Sequence, residues 1–231
     1  MPKLSIIVPV FNEVQTIQEV LERLLALAMD KEIIVVDDGS TDGTSEKISG
    51  FYSKIKNLKH ESNLGKGAAV KTGIDAARGN FVVFCDADLE YDIDQISSLF
   101  DHLLKNDLSV VYGSRFVGYR PEKNKVHYLG NRFLTGLTNF LFGAKLTDME
   151  TAYKMFRADI LKNLSLAGKR FEIEPEITAK ILKQGIKITE LSITYNPRVK
   201  KEGKKVKYRD GLTAIKVLIR EKLKNQEEAG G

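Results

Sequence analysis

Glu32-Ile-Ile-Val-Val-Asp-Asp-Gly39 and Asn80-Phe-Val-Val-Phe-Cys-Asp-Ala-Asp88 share one design: a run of apolar β-formers that ends in carboxylates. An apolar run without alternation reads as a strand buried on both faces, as in a parallel sheet. Acids at its end stand at the carboxyl edge, where open α/β folds bind their ligands. Outward from these two stretches, strand and helix alternate through the first two-thirds of the chain. Leu4 to Val10 reads as a buried strand broken only by Ser5 and Pro9. From Glu13 to Met29, the residues Val14, Ile17, Val20, Leu21, Leu24 and Leu25 fall at helical spacing. Further strands are expected over 33–36, 58–60, 81–85 and 109–112. Helices are expected over 43–55 (capped by Thr41 or Asp42), 67–77 and 94–104. Repeated βα units imply a mostly parallel, Rossmann-like sheet with helices on both faces.

After Gly118 the pattern loosens. A polar loop to Lys125 is followed by a helix over 126–142, a strand over 153–156, a helix over 174–183 and a strand over 186–193. A basic, glycine-containing stretch over 196–209 leads to an amphipathic helix over 212–223. No break in composition separates these pieces. One α/β domain is expected over 1–195, with 196–231 forming a basic loop and C-terminal amphipathic helix of the same unit.

The bulk numbers narrow the class. The chain has 231 residues, 42% hydrophobic and 29% charged, as in a globular protein with a well-buried core. Its one cysteine, Cys85, excludes an internal disulfide and fits a cytosolic protein. Met1-Pro-Lys-Leu leads straight into a strand, so no signal peptide is expected, and the apolar runs are strand-sized. Net charge is +5; residues from Asn196 onward carry +6 and the remainder −1. A basic tail of this kind suits an anionic membrane surface, a phosphate-bearing ligand or nucleic acid, and is also what a solvated tail looks like.

Asp86-Ala-Asp88-Leu-Glu90 is the sharpest chemical signal. In an extended segment, residues two apart share a side, so Asp86, Asp88 and Glu90 would converge on one cation. Hard oxygen ligands favour Mg²⁺ or Mn²⁺. The plainer reading is turn and capping chemistry. Turn chemistry also explains Gly39, Ser40, Asp42 and Gly43, but not the adjacent Asp37 and Asp38 closing an apolar strand. Asn63-Leu-Gly-Lys-Gly67 opens a helix, placing Lys66 near an anion-favouring N-terminus, although it lacks the Ser or Thr of a Walker A loop. Gly113-Ser-Arg115 follows another strand, and a planar guanidinium suits phosphate. Glu172, Glu174 and Glu176 read as helix capping. His60, His102 and His127 have no zinc-like spacing, and no Ser-His-Asp arrangement is evident.

Taken together and in order, Val8-Pro-Val-Phe-Asn-Glu13, Val36-Asp-Asp-Gly-Ser-Thr-Asp-Gly43, Gly65-Lys-Gly67 and Asp86-Ala-Asp88 resemble a family 2 glycosyltransferase of the GT-A fold. Gly113-Ser-Arg115, Thr147-Asp-Met-Glu-Thr-Ala-Tyr-Lys154, Phe171-Glu-Ile-Glu-Pro-Glu-Ile177 and Glu202-Gly-Lys-Lys205 resemble the dolichyl-phosphate mannosyltransferase branch and its bacterial polyprenyl-phosphate relatives. The resemblance implies donor-binding roles for Pro9, Phe11, Glu13, Asp38, Lys66 and Asp86, and for Arg198, Lys204 and Lys205 in a closing loop. It implies a metal, Mg²⁺ or Mn²⁺, at Asp86, Asp88 and Glu90, the last often Gln in the family. Arg115 and Arg132 would receive the acceptor phosphate. The catalytic set is then Asp88 and Arg115, with Asp148 or Glu150 as general base if the acceptor is a sugar hydroxyl. The chain has no Trp and so lacks the Gln-x-x-Arg-Trp signature of processive members.

The expected activity is inverting transfer of one hexose from a nucleotide diphosphate sugar, of GDP-mannose or UDP-glucose type, to a polyprenyl or dolichyl phosphate. The enzyme would sit at the cytoplasmic membrane face as a peripheral protein, with no nucleic-acid partner. Arg115→Ala set against Asp148→Asn and Glu150→Gln is expected to separate a phosphate from a hydroxyl acceptor. The helix bearing Phe133, Leu137, Phe140 and Leu141 either docks on a membrane or packs on the core. Competing classes are weaker. A nucleotidyltransferase of related fold would carry a Gly-rich, Arg-containing loop where Val10-Phe-Asn-Glu13 stands. A haloacid-dehalogenase-like phosphatase would need a later acid pair. A non-enzymatic basic module would leave the acid clusters without a purpose.

Overall fold

The computed structural model describes residues 3–117, 125–197 and 208–228. The alternation read from the sequence is formed: β1 (Leu4–Val10), α1 (Ile17–Ala26), β2 (Lys31–Asp37), α2 (Thr44–Ser49), β3 (Lys56–Lys59), α3 (Lys66–Ala76), β4 (Phe81–Phe84), α4 (Gln95–Lys105) and β5 (Val110–Ser114). There follow α5 (Lys125–Phe142), β6 (Lys154–Arg157), α6 (Ala158–Lys162), α7 (Ile173–Lys183), β7 (Thr189–Ser192) and α8 (Tyr208–Glu228). α2 is shorter than expected; its N-cap is Gly43, while Asp42 accepts the Thr44 amide one residue earlier.

These strands make one sheet in the order β3-β2-β1-β4-β6-β5-β7. All pairings are parallel except those of β6, which runs against both β4 and β5. Successive residues of each central strand serve opposite faces. Leu4, Ile6 and Val8 meet Ile17, Val20 and Leu21 of α1 and Ile96 and Leu99 of α4 on one side. Ile7, Ile34, Val36, Val82 and Phe84 meet Val70 and Ile74 of α3 and Ile173 and Ile177 of α7 on the other. A third cluster joins α5, α7 and α8 through Leu134, Ala179, Ala214 and Leu218.

The two oddities of β1 both have uses. Ser5 is fully buried, and its hydroxyl donates to Glu32 and accepts the Gly79 amide, pinning the turn before β4. Pro9 shares the side of Ile7, whose carbonyl takes the Cys85 amide; the β1–β4 register ends at Ile7↔Phe84. The missing N–H of Pro9 therefore falls just past the last ladder bond, where it costs nothing. There the two strands part, at the point where the strand order reverses, and open a crevice at the carboxyl edge.

Candidate active site

One side of this crevice is built from the loops after β1, β2, β3 and β4, which are tied to one another. Asn12, at φ 51°, donates its amide to Ser40 and accepts the Thr41 amide on its side chain. The Glu13 amide donates to Thr44, and Thr16 donates to the Ala87 carbonyl, linking the first loop to the fourth. Phe11 lies half-buried at the start of this loop, and Glu13 is buried within it. Asp38 is buried; its carboxylate holds the His60 ring at 2.6 Å and accepts the Leu64 and Gly65 amides at 2.9 and 2.8 Å. Its work in the structure is thus to shape the turn leading into α3.

That turn delivers Lys66. The α3 N-terminus lies against the 168–170 loop so closely that a Cβ on Gly67 would sit 2.5 Å from the Gly168 carbonyl oxygen. Glu176 fixes the same loop by accepting the Ala167 and Gly168 amides. Lys66 Nζ then lies 2.8 Å from Asp86 and 3.2 Å from Glu174. Burial works against the lysine charge, but Asp86 and then Glu174 outweigh it and hold the pKa above the ordinary lysine value. Glu174 also takes the ammonium of Lys154, which is fully buried. Asp86–Lys66–Glu174–Lys154 is therefore a continuous chain of alternating charge from the end of β4 to the start of β6. Glu174 belongs to this chain, so helix capping does not explain it.

The three acids after β4 are not arrayed as an extended strand. The segment turns, with Leu89 at φ 58°, so the alternation expected to bring Asp86, Asp88 and Glu90 to one side does not form. Asp88 accepts the Glu90 amide at 3.1 Å, and Glu90 takes the Tyr195 hydroxyl at 2.7 Å. Among the described residues no three His, Cys, Asp or Glu side chains are grouped to hold a cation. Asp86 and Asp88 retain the donor chemistry suited to Mg²⁺ or Mn²⁺; Glu90 is turned towards Tyr195 instead.

On the other side, β6 runs antiparallel and so begins at the edge where β5 ends. Arg115 follows β5, and Asp148 lies on the segment leading to β6. Arg115 Nε and Nη2 each lie 2.7 Å from an Asp148 oxygen, and the Arg115 amide donates to the same carboxylate at 3.0 Å. Asp148 is fully buried, and the guanidinium lies over the rings of Phe116 and Tyr195, 5.3 and 5.2 Å from their centres. Burial opposes the arginine charge, yet Asp148 more than compensates and raises its pKa well above the usual value. Nη1 is not used by Asp148. Arg132, exposed on α5, reaches the Thr147 carbonyl at 3.4 Å, so both arginines converge on the 147–148 turn.

Two positions that shape this crevice escaped the sequence reading. Glu190 of β7 accepts the Thr147 and Asp148 amides at 2.7 and 2.9 Å and so fixes the turn that holds Arg115. Tyr195 links the Glu90 carboxylate to the face of Arg115. Neither stands in a motif; each acts across a sequence distance that only the folded sheet closes. Arg198, Lys204 and Lys205 lie outside the described residues.

Residues 5–165 match the family described as Glycosyl transferase family 2. The chain belongs to this family. It is 30% identical over 208 residues to the dodecaprenyl-phosphate galacturonate synthase of Rhizobium johnstonii, covering 85% of this chain and 60% of that protein. It is 29% identical over 217 residues to the dolichyl-phosphate beta-glucosyltransferase of Dictyostelium discoideum, covering 83% of this chain and 66% of that protein. The chain thus spans about three-fifths to two-thirds of the length of these relatives. Its fold matches the crystal structure of Mycobacterium tuberculosis glucosyl-3-phosphoglycerate synthase with a TM-score of 0.73 at 21% identity, over 96% of this chain and 80% of that one. The GT-A type architecture expected from the motifs is the one observed.

Proposed function

We propose that this glycosyltransferase moves a single hexose, with inversion, from a nucleotide diphosphate sugar to a polyprenyl or dolichyl phosphate. The observation that carries the reading is Arg115: a buried cation set by Asp148, which does not use its Nη1, with Arg132 reaching the same 147–148 turn. A phosphate monoester is the acceptor such a pair would receive. Relatives named for dodecaprenyl and dolichyl phosphate support the same acceptor class. A hydroxyl acceptor would need a free base; Asp148 is committed to Arg115, and of the two acids expected for that role only Glu150 is left.

The acceptor phosphate is mostly ionised at neutral pH, with a second pKa of roughly 6, so it needs positioning more than deprotonation. Arg115 and Arg132 supply that positioning. Lys66 stands at the opposite side, where its ammonium would face the leaving diphosphate as charge develops there. Asp86 and Asp88 would hold the divalent cation, Mg²⁺ or Mn²⁺, which when bound neutralises diphosphate charge. The nucleoside would lie over the loops bearing Pro9, Phe11, Glu13 and Asp38. Radiolabelled UDP-glucose, UDP-galacturonate and GDP-mannose, each offered with a short polyprenyl phosphate, test the reading. One donor is expected to give an organic-extractable labelled lipid, and label recovered only as free sugar or as water-soluble product would overturn it.

A lipid acceptor requires contact with a membrane, and no helix among the described residues is long and apolar enough to cross one. The α5 helix packs on the core along one side and leaves apolar side chains uncovered along another. Leu137 and Leu141 pack on the third core cluster, whereas Leu129, Phe133 and Phe140 face outward, Phe140 at 85% exposure. The neighbouring α8 exposes Leu212, Ile219 and Leu223, accompanied by Lys216, Arg220, Lys222 and Lys224. Apolar side chains beside cations suit an anionic bilayer surface. The protein is expected to co-sediment with phosphatidylglycerol-containing vesicles at low salt. Phe133→Ser/Phe140→Ser should weaken that binding by at least about tenfold, in line with the loss of inserted apolar area. Equal binding by the double variant would rule out this face.

A further inference from the structure

Glu174 faces two cations and is hydrogen-bonded to one. Its Oε2 takes the ammonium of Lys154, which is fully buried and also donates to the Thr151 carbonyl. Its Oε1 is buried without a hydrogen-bond partner. Lys66 Nζ lies 3.2 Å from that oxygen, near enough for a hydrogen bond, so direction is lacking and not distance. The ammonium is turned instead to Asp86, 2.8 and 3.0 Å from its two oxygens. A buried acceptor left unbonded is unfavourable, and a lysine within reach can relieve it. The two carboxylates differ in access. The Asp86 side chain keeps 21% of its surface open and that of Lys66 15%, against 5% for Glu174. An entering divalent cation therefore meets Asp86 first. The ammonium already spans both oxygens of that carboxylate, and two cations on one carboxylate repel each other.

We propose that Glu174 is a positioning residue for Lys66: its Oε1 receives the ammonium when a divalent cation takes Asp86, so that the lysine yields the carboxylate and stays in the crevice. The inference rests on the reading of Asp86 as a cation ligand and deepens it. A turn of the ammonium completes the bond to Oε1, since the distance is already within range. Lys154, anchored by Glu174 and the Thr151 carbonyl, keeps that oxygen in place. The move also changes what Lys66 can offer. On Asp86 its ammonium faces two oxygens. On Glu174 it uses one N–H and has two for the phosphates of the donor. No covalent bond forms or breaks, and no proton changes hands.

Titration of the full chain with Mn²⁺, followed by loss of the free ion's electron paramagnetic resonance signal, tests this without turnover. Lys66→Met removes the competitor, and Mn²⁺ should bind about tenfold more tightly than to the wild type, as for one charge-assisted hydrogen bond. Glu174→Gln keeps the shape but has one acceptor oxygen for two lysines. Lys66 should then stay on Asp86, and Mn²⁺ should bind about tenfold more weakly. The double variant separates a seat for Lys66 from a plain charge effect. With Lys66 gone, Glu174→Gln should change the affinity by less than about twofold. Equal weakening in both backgrounds would mean that Glu174 acts on the cation by its charge alone, and the proposal fails. It also fails, with the metal reading intact, if Lys66→Met binds Mn²⁺ no more tightly than the wild type while Asp86→Asn binds it more weakly. If Asp86→Asn binds Mn²⁺ as the wild type does, the metal reading falls and this inference with it. Should the Lys66 variants not fold, a crystal structure of the wild type with Mn²⁺ and UDP decides. Nζ bonded to Glu174 Oε1 is the expected result, and Nζ still on both Asp86 oxygens beside a bound ion would overturn the proposal.

Discussion

Asp148→Ala is expected to cost the fold about 3–5 kcal/mol, the penalty for stranding a buried ion, and to abolish glycosyl transfer. Asp148 is fully buried and accepts three hydrogen bonds from Arg115, two from the guanidinium and one from the backbone. Without the carboxylate, the guanidinium either stays uncompensated beside Phe116 and Tyr195 or leaves the crevice. Asp148→Asn keeps the shape and one acceptor oxygen, so it should cost less stability. It nonetheless turns an amide N–H towards a guanidinium N–H and should lose transfer as well. Urea unfolding of Asp148→Ala, Arg115→Ala and the double variant measures the pair. A coupling of about 1–3 kcal/mol is expected for residues in direct contact, and additive costs would show that the two do not act as a unit. The comparison expected from the sequence to separate acceptor classes is therefore uninformative at Asp148. Its loss would misplace Arg115 whichever acceptor is used, and the class has to be read from the product.

Gly65→Ala should be nearly as damaging, for a backbone reason. Gly65 has φ 103° and ψ 158°, a region open in practice only to glycine. An added Cβ would also lie 2.4 Å from the Lys169 carbonyl oxygen. Strain alone is worth about 1–3 kcal/mol, and displacement of the 168–170 loop adds to it, so a total above about 3 kcal/mol is expected. Lys66, the next residue, would be drawn away from Asp86 and Glu174, and transfer should fall with stability. Gly143→Ala is the control: φ is 67° there, but nothing lies within 4 Å of the added atom. It should cost about 1 kcal/mol. Equal losses at the two positions would mean that crowding by the 168–170 loop contributes nothing.

Much of the β1–β4 side of the crevice was legible because local rules govern it. Buried parallel strands are continuous apolar runs, and the acids that end them fall at the carboxyl edge by construction. Asp86 was placed at that edge this way, and Lys66 by the glycines that open α3. The same reasoning overreached at Glu90, because it carried strand geometry past Phe84 into a segment that turns at Leu89. The β5–β6 side was harder. Nothing in Tyr153 to Phe156 tells the direction of the strand, since direction is set by what lies beside it in the sheet. Glu174 looked like a capping residue because its true partners, Lys66 and Lys154, are distant in sequence. Glu190 and Tyr195 gave no signal at all; their roles arise only when β7 is laid beside β5 and Tyr195 pairs with Tyr91.

The position of β6 has a further consequence, for the way the chain is made. β4 and β5 never touch; β6 lies between them and bonds to both. A nascent chain that has completed β4 therefore holds a half-sheet with the apolar edge Phe81-Val-Val-Phe84 unpaired, and β5, when it emerges, finds no place on it. At about 5–20 residues per second of synthesis, the edge stays open for several seconds until Lys154 to Arg157 arrive. An uncovered apolar edge is a template for pairing with other chains. The strand that joins the two halves of the sheet is thus also the one that closes the window for aggregation, and substitutions that weaken β6 should reduce the yield of soluble protein before any loss of activity could be measured.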